Sequence, residues 1–567
     1  MTTPHTVLPP ADAATSDTSD TSGTDPSGPS HTSNTATGTP ASHPSDTPGN
    51  LAAQLADLAE RRGWGGRPAF HQGHRVWTHG EVHALAAGAA SVLAGYGVRP
   101  GDRVVLALPD GIAWVTAFLA VARVGAVAVL VNPELPAADH AFVAADTSAV
   151  LCVTGPGLED RFADRARLGA DQLLALTASA EPAPAHPVDA HAPLYVQYTS
   201  GTTGRPKGVV HTHGDPKAYH DLIGRRLLRI TGDDVTLSVS KLYFAYGFGN
   251  AFVFPLFSGS SAVLVDRRPN PAAVDELVAR HRVTLLYSVP SAYAALVADR
   301  GSGHEACFAS VRAAVSAGEG LPEELGKRVT ELLGAPVLEQ IGSTEAGHAF
   351  CANSFDHNAP GTVGRPVPGF EVELRDRAGR PVPDGVEGEL WVRGPTVTPG
   401  YLNRPEETER TLVRGWLATH DRAVREPDGA YRHLGRADDM EMVGGITVSP
   451  LEVEAVLRTH PAVKEVAVVA VIDGTGVGRL RAFVVPAAQR DSAELPSPPG
   501  PQGTQRPRGL QPAQGLQNLQ NLQEELLKLA REHLAAFKVP RSVSLVPSLP
   551  RTATGKLRRH LVRQGAW

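Results

Sequence analysis

Apolar positions along this chain alternate between two rhythms. Short apolar runs at Arg103–Leu108 and Ala126–Val131 read as buried strands, and Ile112–Arg123 between them reads as a helix. The same β-then-α order recurs at Val235–Val239, at Ala262–Val265 followed by a helix over Pro271–Arg280, and at Thr284–Tyr287. It recurs again at Ala313–Ser316, ahead of a helix near Glu323–Leu333. Such repetition predicts an α/β fold with parallel-rich sheets. The first helical pattern begins at Leu51 and continues through Leu55 and Leu58.

After Gly361 the texture changes. Glu371–Arg375, Gly388–Arg393 and Ala430–Leu434 read as short strands joined by Gly/Pro turns, so a β-rich subdomain should close the large domain. Beyond Gly435-Arg436 a small α+β unit is expected, with a helix at Pro450–Arg458 and strands at Glu465–Val471 and Arg481–Val485. An amphipathic helix follows at Glu524–Ala536, its Leu526, Leu529, Ala530 and Leu534 on one face. The expected organisation is a large N-terminal domain over residues 49–436 and a small C-terminal domain over 437–567.

Two segments fall outside this patterning. Residues 1–48 are mainly Ser, Thr, Pro, Asp and Gly, too poor in apolar side chains to offset their ordering entropy, and read as a disordered tail. Residues 488–520 form a low-complexity insert rich in Pro, Gly and Gln, read as a flexible loop.

Composition narrows the class. In 567 residues, 42% are hydrophobic and 20% charged, as in soluble globular chains. With 53 basic against 59 acidic residues the net charge is −6, which argues against a broad nucleic-acid footprint. Cys152, Cys307 and Cys351 are far apart and make no zinc or disulfide pattern, so a reducing, cytoplasmic setting fits. The start has no signal-peptide pattern. The run from Ala113 to Val131 is broken by Arg123 and Gly125, so no membrane span is expected. Lysine occurs only eight times, so a lysine inside a Gly-rich string carries weight.

Such a string is Thr199-Ser-Gly-Thr-Thr-Gly-Arg-Pro-Lys-Gly208, after the apolar strand Leu194–Gln197. Gly201 and Gly204 let backbone N–H groups approach phosphate oxygens. Thr199, Ser200, Thr202 and Thr203 add hydroxyl donors, and Lys207 adds a positive charge. It is not a GxxxxGK[ST] loop, because Arg205 and Pro206 separate Gly204 from Lys207.

The string resembles the signature loop of the adenylate-forming superfamily of acyl-CoA ligases, adenylation domains and luciferases. Further motifs follow in that family's order. Ser316-Ala-Gly-Glu-Gly-Leu-Pro322 resembles the adenine-contacting stretch, implicating Gly318 and Glu319. Gln340-Ile-Gly-Ser-Thr-Glu345 resembles the segment in which Thr344 contacts the α-phosphate and Glu345 holds Mg²⁺, an ion that prefers oxygen ligands. Asp421 stands at the ribose-binding position, where one carboxylate can accept from two hydroxyls. Gly435-Arg-Ala-Asp-Asp-Met440 resembles the hinge, with Asp438 at its pivot and Arg436 beside the nucleotide. Pro550-Arg-Thr-Ala-Thr-Gly-Lys556 resembles the catalytic lysine loop. Lys556 would stabilise charge as the carboxylate attacks the α-phosphorus. The resemblance implies a mobile C-terminal domain. After rotation about the hinge, Gly444 and Gly445 would line a channel for the attacking thiol.

Lys241-Leu-Tyr-Phe-Ala-Tyr-Gly-Phe-Gly-Asn250 and the Ile-Gly-Ser-Thr-Glu-x-x-His pattern ending at His348 resemble benzoate-CoA ligases and related aryl acid ligases. That resemblance puts Ala245, Tyr246, Gly318, Ile341 and His348 around an aryl-acid pocket, a mostly apolar slot suited to a flat ring. Amino-acid-activating relatives carry an Asp in this region. None lies between Lys241 and Asn250, and an unpaired buried ammonium is costly.

The implied reaction is activation of an aryl acid by ATP and Mg²⁺ as acyl-AMP, followed by transfer to coenzyme A. The alternative acceptor is the phosphopantetheine of a separate acyl carrier protein, and a silent acyl-nucleotide binding protein is a third reading. A homodimer is left open. Two departures from the family pattern stand out: Thr419-His-Asp421 replaces Thr-Gly-Asp, and Met442 replaces a lysine after the hinge.

Overall fold

The structure is a computed structural model. It describes residues 49–199, 206–298, 305–436, 441–443, 446–472, 478–487, 512–534, 536–551 and 557–565. Among these, two mixed sheets of the N-terminal domain share one core. The larger runs, in spatial order, Arg365–Pro366, Ala349–Ala352, Val337–Gly342, Ala313–Ser316, Leu285–Ser288, Val235–Ser238, Ser261–Val263, Pro68–Gln72 and Arg75–Thr78. Its centre is parallel and both ends turn antiparallel. The second runs Ala166–Gly169, Leu151–Thr154, Arg103–Ala107, Val127–Leu130 and Pro193–Thr199, all parallel, and ends on the antiparallel strand Lys207–Thr212.

The helix Ile112–Val124 is buried on every side within that shared core, from Ile112 through Ala122 except for Ala113. A helix wrapped by protein needs no polar face, which is why its sequence is apolar apart from Thr116 and Arg123. Trp114 stacks on Phe118 with centroids 5.3 Å apart, and Phe248 and Phe252 pack edge-on against both rings. Burying each such side chain contributes about 1.5–3 kcal/mol. The helix stops at Gly125, whose φ of +79° closes a left-handed cap.

The β-rich subdomain is antiparallel, with Glu371–Arg375, Gly388–Arg393 and Trp416–Arg425 side by side and Tyr431–Arg436 paired to the last. In the small C-terminal domain Val463–Ile472 pairs antiparallel with Gly478–Pro486, which pairs parallel with Ser542–Leu545. Helices Pro450–Arg458 and Pro512–His533 bury Val453, Leu457, Leu522, Leu526 and Ala530 against that sheet. No helix among the described residues is long and apolar enough to cross a membrane.

Sequence patterning misplaced one element and missed another. The helix expected at Glu524–Ala536 begins at Pro512, inside the stretch read as a flexible insert, and ends at His533. Gln and Leu are good helix formers, so the Gln/Leu-rich end of the insert continues the packed helix. The helix His79–Gly95 shows no clear stripe because Ala and Gly fill most of its turns, yet a capping box of Thr78 and Glu81 starts it. The larger sheet is parallel at its centre, as expected, with antiparallel pairings added at both ends. Residues 1–48 and 488–511 lie outside the described residues.

Candidate active site

The candidate residues gather where parallel strands end. Thr199 closes its strand, Gly318 follows Ala313–Ser316, and Thr344 and Glu345 follow Val337–Gly342. Carboxyl ends of parallel strands are where open α/β sheets bind ligands. Thr199 pairs with Lys207 across the phosphate loop.

Tyr401, which the sequence did not single out, ties this loop to Glu345. Its hydroxyl donates to Glu345 Oε1 at 2.9 Å, and Lys207 Nζ lies 5.3 Å from its ring centroid, within cation–π range. Burial, followed by the Glu345 carboxylate, raises the Tyr401 hydroxyl above its ordinary pKa, so it stays a donor. The backbone fixes the contact: Leu402 N donates to Gly208 O at 2.7 Å, and Thr398 N to Glu345 O at 2.7 Å. A lone Gly-Tyr pair gave no signal by spacing.

The residues expected to meet the nucleotide stand on two neighbouring strand ends and on the β-rich subdomain. Gly318 has φ +91°, which favours glycine, and Gln340 is buried in its strand. Glu339, also missed, accepts from Leu321 N at 2.9 Å and so braces the stretch that carries Gly318 and Glu319. Burial pushes its carboxyl up to about 8. Asp421 pairs with Arg436 across two strands, and His433 Nε2 lies 3.1 Å from Asp421 Oδ1. Arg436 Nε is buried without a hydrogen-bond partner among the described residues. A buried, unsatisfied guanidinium donor is what an anionic ligand would satisfy. His420 has φ +59°. That explains why glycine usually stands there, and Glu389 lies 3.2 Å from the His420 ring.

Of the residues expected around an aryl acid, Tyr246 and His348 meet in an aromatic wall. Ala245 and Tyr246 start the short helix Ala245–Phe248. The Tyr246 hydroxyl donates to Val315 O at 3.0 Å, and its ring lies 5.9 Å from that of His348. Ile341 is half-buried one residue beyond Gln340. His348 is enclosed between Tyr219, Tyr246 and Phe254, with Nε2 3.0 Å from Asn250 Oδ1. Burial pushes it down to about 3, so it is neutral and forms a wall rather than a charged partner. A Cβ at Gly249 would stand 2.3 Å from His348 Cδ2, so only glycine admits the histidine there.

Ser200, Gly201, Thr202, Thr203, Gly204, Asp438, Gly444, Gly445 and Lys556 lie outside the described residues. The neck of the lysine loop is described: Arg551 bridges to Leu557, and Arg551 lies 3.7 Å from Glu319 of the large domain and 2.9 Å from Glu465. A separate cavity of about 280 Å³, lined by Pro100, Arg103, Val127, Pro193 and Val210, includes none of these residues.

Comparison with known proteins decides the family. The AMP-binding enzyme pattern matches residues 58–402, and its C-terminal domain matches 452–498 and 499–556. The chain belongs to the AMP-binding enzyme family. As an AMP-binding enzyme it is 39% identical over 519 residues to p-hydroxybenzoic acid–AMP ligase FadD22 of Mycobacterium tuberculosis, covering 91% of this chain and 69% of that one. It is 36% identical to benzoate–CoA ligase of Thauera aromatica, covering 91% and 95%. Among solved structures, benzoate CoA ligase from Burkholderia xenovorans LB400 superposes with a TM-score of 0.80 at 35% identity, covering 91% and 99%. The large sheet-rich N-terminal domain and small C-terminal domain of this AMP-binding enzyme therefore follow the family's architecture.

Proposed function

We propose that the protein activates a benzoate-like aryl carboxylic acid with ATP and passes the aroyl group to a thiol. The observation that carries this reading is the cluster in which Tyr401 joins Lys207 to Glu345 beside a neutral aromatic wall. One side of it suits a triphosphate and the other a flat, uncharged ring. The names of the relatives, all aryl acid ligases, support the same substrate class.

In the first step a carboxylate oxygen attacks the α-phosphorus and pyrophosphate leaves, giving aryl-AMP. In the second a thiol attacks the acyl carbonyl and AMP leaves. Lys207 and the hydroxyls of Thr199, Ser200, Thr202 and Thr203 would hold the phosphates. Gly318, Glu319 and Gln340 would receive the adenine, and Asp421 the ribose, with Arg436 beside it. Thr344 would contact the α-phosphate, and Lys556 would stabilise its developing charge. A Mg²⁺ bound at Glu345 would neutralise phosphate charge, and a single carboxylate shared with phosphates is a usual Mg²⁺ environment. Ala245, Tyr246, Gly318, Ile341 and His348 would line the aryl slot.

The domain boundary falls at residues 436–437 on this reading, with Asp438 as hinge and Gly444 and Gly445 along the thiol path. The 3.7 Å approach of Arg551 to Glu319 supports a state in which the lysine loop faces the nucleotide. Coenzyme A or a carrier-protein phosphopantetheine supplies the thiol, and both place the enzyme in the cytoplasm. ATP–pyrophosphate exchange with a panel of aryl acids, followed by each acceptor in turn, tests the proposal. Absence of exchange with every aryl acid would sink it.

A further inference from the structure

A buried histidine–aspartate pair stands behind the catalytic turn and has no part in the reaction as described. His211 lies on the strand Lys207–Thr212 and Asp215 just beyond it, and both side chains are buried. His211 Nδ1 is 2.8 Å from Asp215 Oδ2, and His211 Nε2 is 2.7 Å from the backbone oxygen of Thr344. A backbone carbonyl only accepts, so Nε2 donates to Thr344 O, while Nδ1 faces the Asp215 carboxyl group. Asp215 is itself fixed, accepting from Thr212 N at 3.1 Å and from Thr212 Oγ1 at 2.7 Å. The imidazole stacks on Tyr195 with centroids 4.9 Å apart. Gly347 covers its other side: a Cβ there would stand 3.3 Å from His211 Cε1.

We propose that His211 and Asp215 are positioning residues that set the orientation of Thr344 and Glu345. The inference rests on the reading of Thr344 and Glu345 given above. The carbonyls of Thr344, Glu345 and Ala346 are each held from outside the turn, by His211, by Thr398 N and by Thr396 Oγ1. Only the first restraint is a side chain from the strand that carries Lys207. Lys207 and His211 are four residues apart on one strand and so share a face. One rigid element thereby places both the phosphate-loop lysine and the backbone of the α-phosphate threonine.

His211→Phe keeps a ring against Tyr195 and removes both hydrogen bonds. Asp215→Asn keeps the shape and an acceptor for Thr212 but replaces the carboxyl group that holds His211 Nδ1. Each variant is assayed for aryl-acid-dependent ATP–pyrophosphate exchange against Mg²⁺, and titrated by calorimetry with a non-hydrolysable MgATP analogue. The expected result is a rise of about 10–100-fold in the Mg²⁺ half-saturation and a matching loss of analogue affinity, as for other groups that orient metal ligands. The KM for the aryl acid should stay unchanged. A folded His211→Phe with unaltered Mg²⁺ dependence and analogue affinity overturns the proposal, whatever its melting temperature. If that variant does not fold, Asp215→Asn decides by the same readouts. Failure of both to fold also overturns it, because the pair would then determine the fold rather than the site. A wild-type protein without exchange would instead count against the function itself.

Discussion

The Tyr401 hydroxyl donates to Glu345 Oε1 at 2.9 Å while the Tyr401 ring faces Lys207. One side chain from the β-rich subdomain thus holds two residues from different sheets in register. Tyr401→Phe keeps the ring and deletes the donor. Exchange activity should fall about tenfold, with the loss concentrated at low Mg²⁺. Stability should change by no more than about 1.5 kcal/mol, the size of one hydrogen bond. Mg²⁺ titrations of both proteins, with thermal melts alongside, check this.

Lys556→Ala separates the two half-reactions. Adenylate formation should drop by about two to three orders of magnitude, as when a preorganised electrostatic group is removed from a transition state. Thioester formation from supplied aryl-AMP should be far less affected. Equal loss in both assays would contradict the assignment of Lys556 to the first step.

Acid should destabilise the protein through its buried histidines. Burial pushes His79, His83 and His213 down to about 4 and His348 to about 3, against an ordinary 6.5. Below pH 6.5 the unfolded chain takes up protons that the folded chain refuses. Stability is therefore fully present above 6.5 and falls toward pH 4, by at most about 1.4 kcal/mol per pH unit for each histidine. Glu339 acts in the opposite sense. Its carboxyl is held neutral up to about 8, so its contribution is present below the ordinary 4.5 and is lost as pH rises toward 8. Melting curves from pH 4 to 9 should show both limbs. His213→Gln should flatten the acid limb and Glu339→Gln the alkaline one; unaltered slopes would contradict their neutral burial.

Gly249→Ala should damage the aryl slot. The new methyl group would meet His348 at 2.3 Å, so the histidine must shift within its aromatic surround. A rise in KM for the aryl acid is expected with KM for ATP unchanged, together with an overpacking cost of about 1–3 kcal/mol. Steady-state kinetics on both substrates distinguish this from general unfolding.

Removal of residues before Asn50 should leave activity intact, provided Asn50 stays. Its side chain accepts from Ala52 N and Ala53 N to start the first helix, and its Nδ2 donates to Ala122 O at 2.7 Å. A cut one residue later should cost about 1 kcal/mol or more, as for loss of an N-cap. Comparing the two truncations by melting temperature tests this.

Local chemistry could be read directly from the chain. The Gly- and hydroxyl-rich loop ending at Lys207 resembles a phosphate cradle by its own residue types. Strands at Glu371–Arg375, Gly388–Arg393 and Ala313–Ser316 and helices at Glu323–Leu333 and Pro450–Arg458 match their patterns end to end. Each of these elements has one apolar face, or a short apolar run between turns, so the period alone locates it.

What the chain could not reveal depends on contacts between distant positions. Tyr401 meets Glu345 across 56 residues, and His211 meets Thr344 across 133. Neither pair has a local pattern, because a hydrogen bond from a hydroxyl or imidazole leaves no periodic trace in sequence. The neutrality of His348 and Glu339 likewise comes from what surrounds them, since burial rather than a neighbouring residue shifts their protonation. Sequence by itself determined the order of the motifs and the elements that carry them. Tertiary packing decided which side chains hold those motifs in place, because desolvation and long-range hydrogen bonds exist only once the sheets have come together.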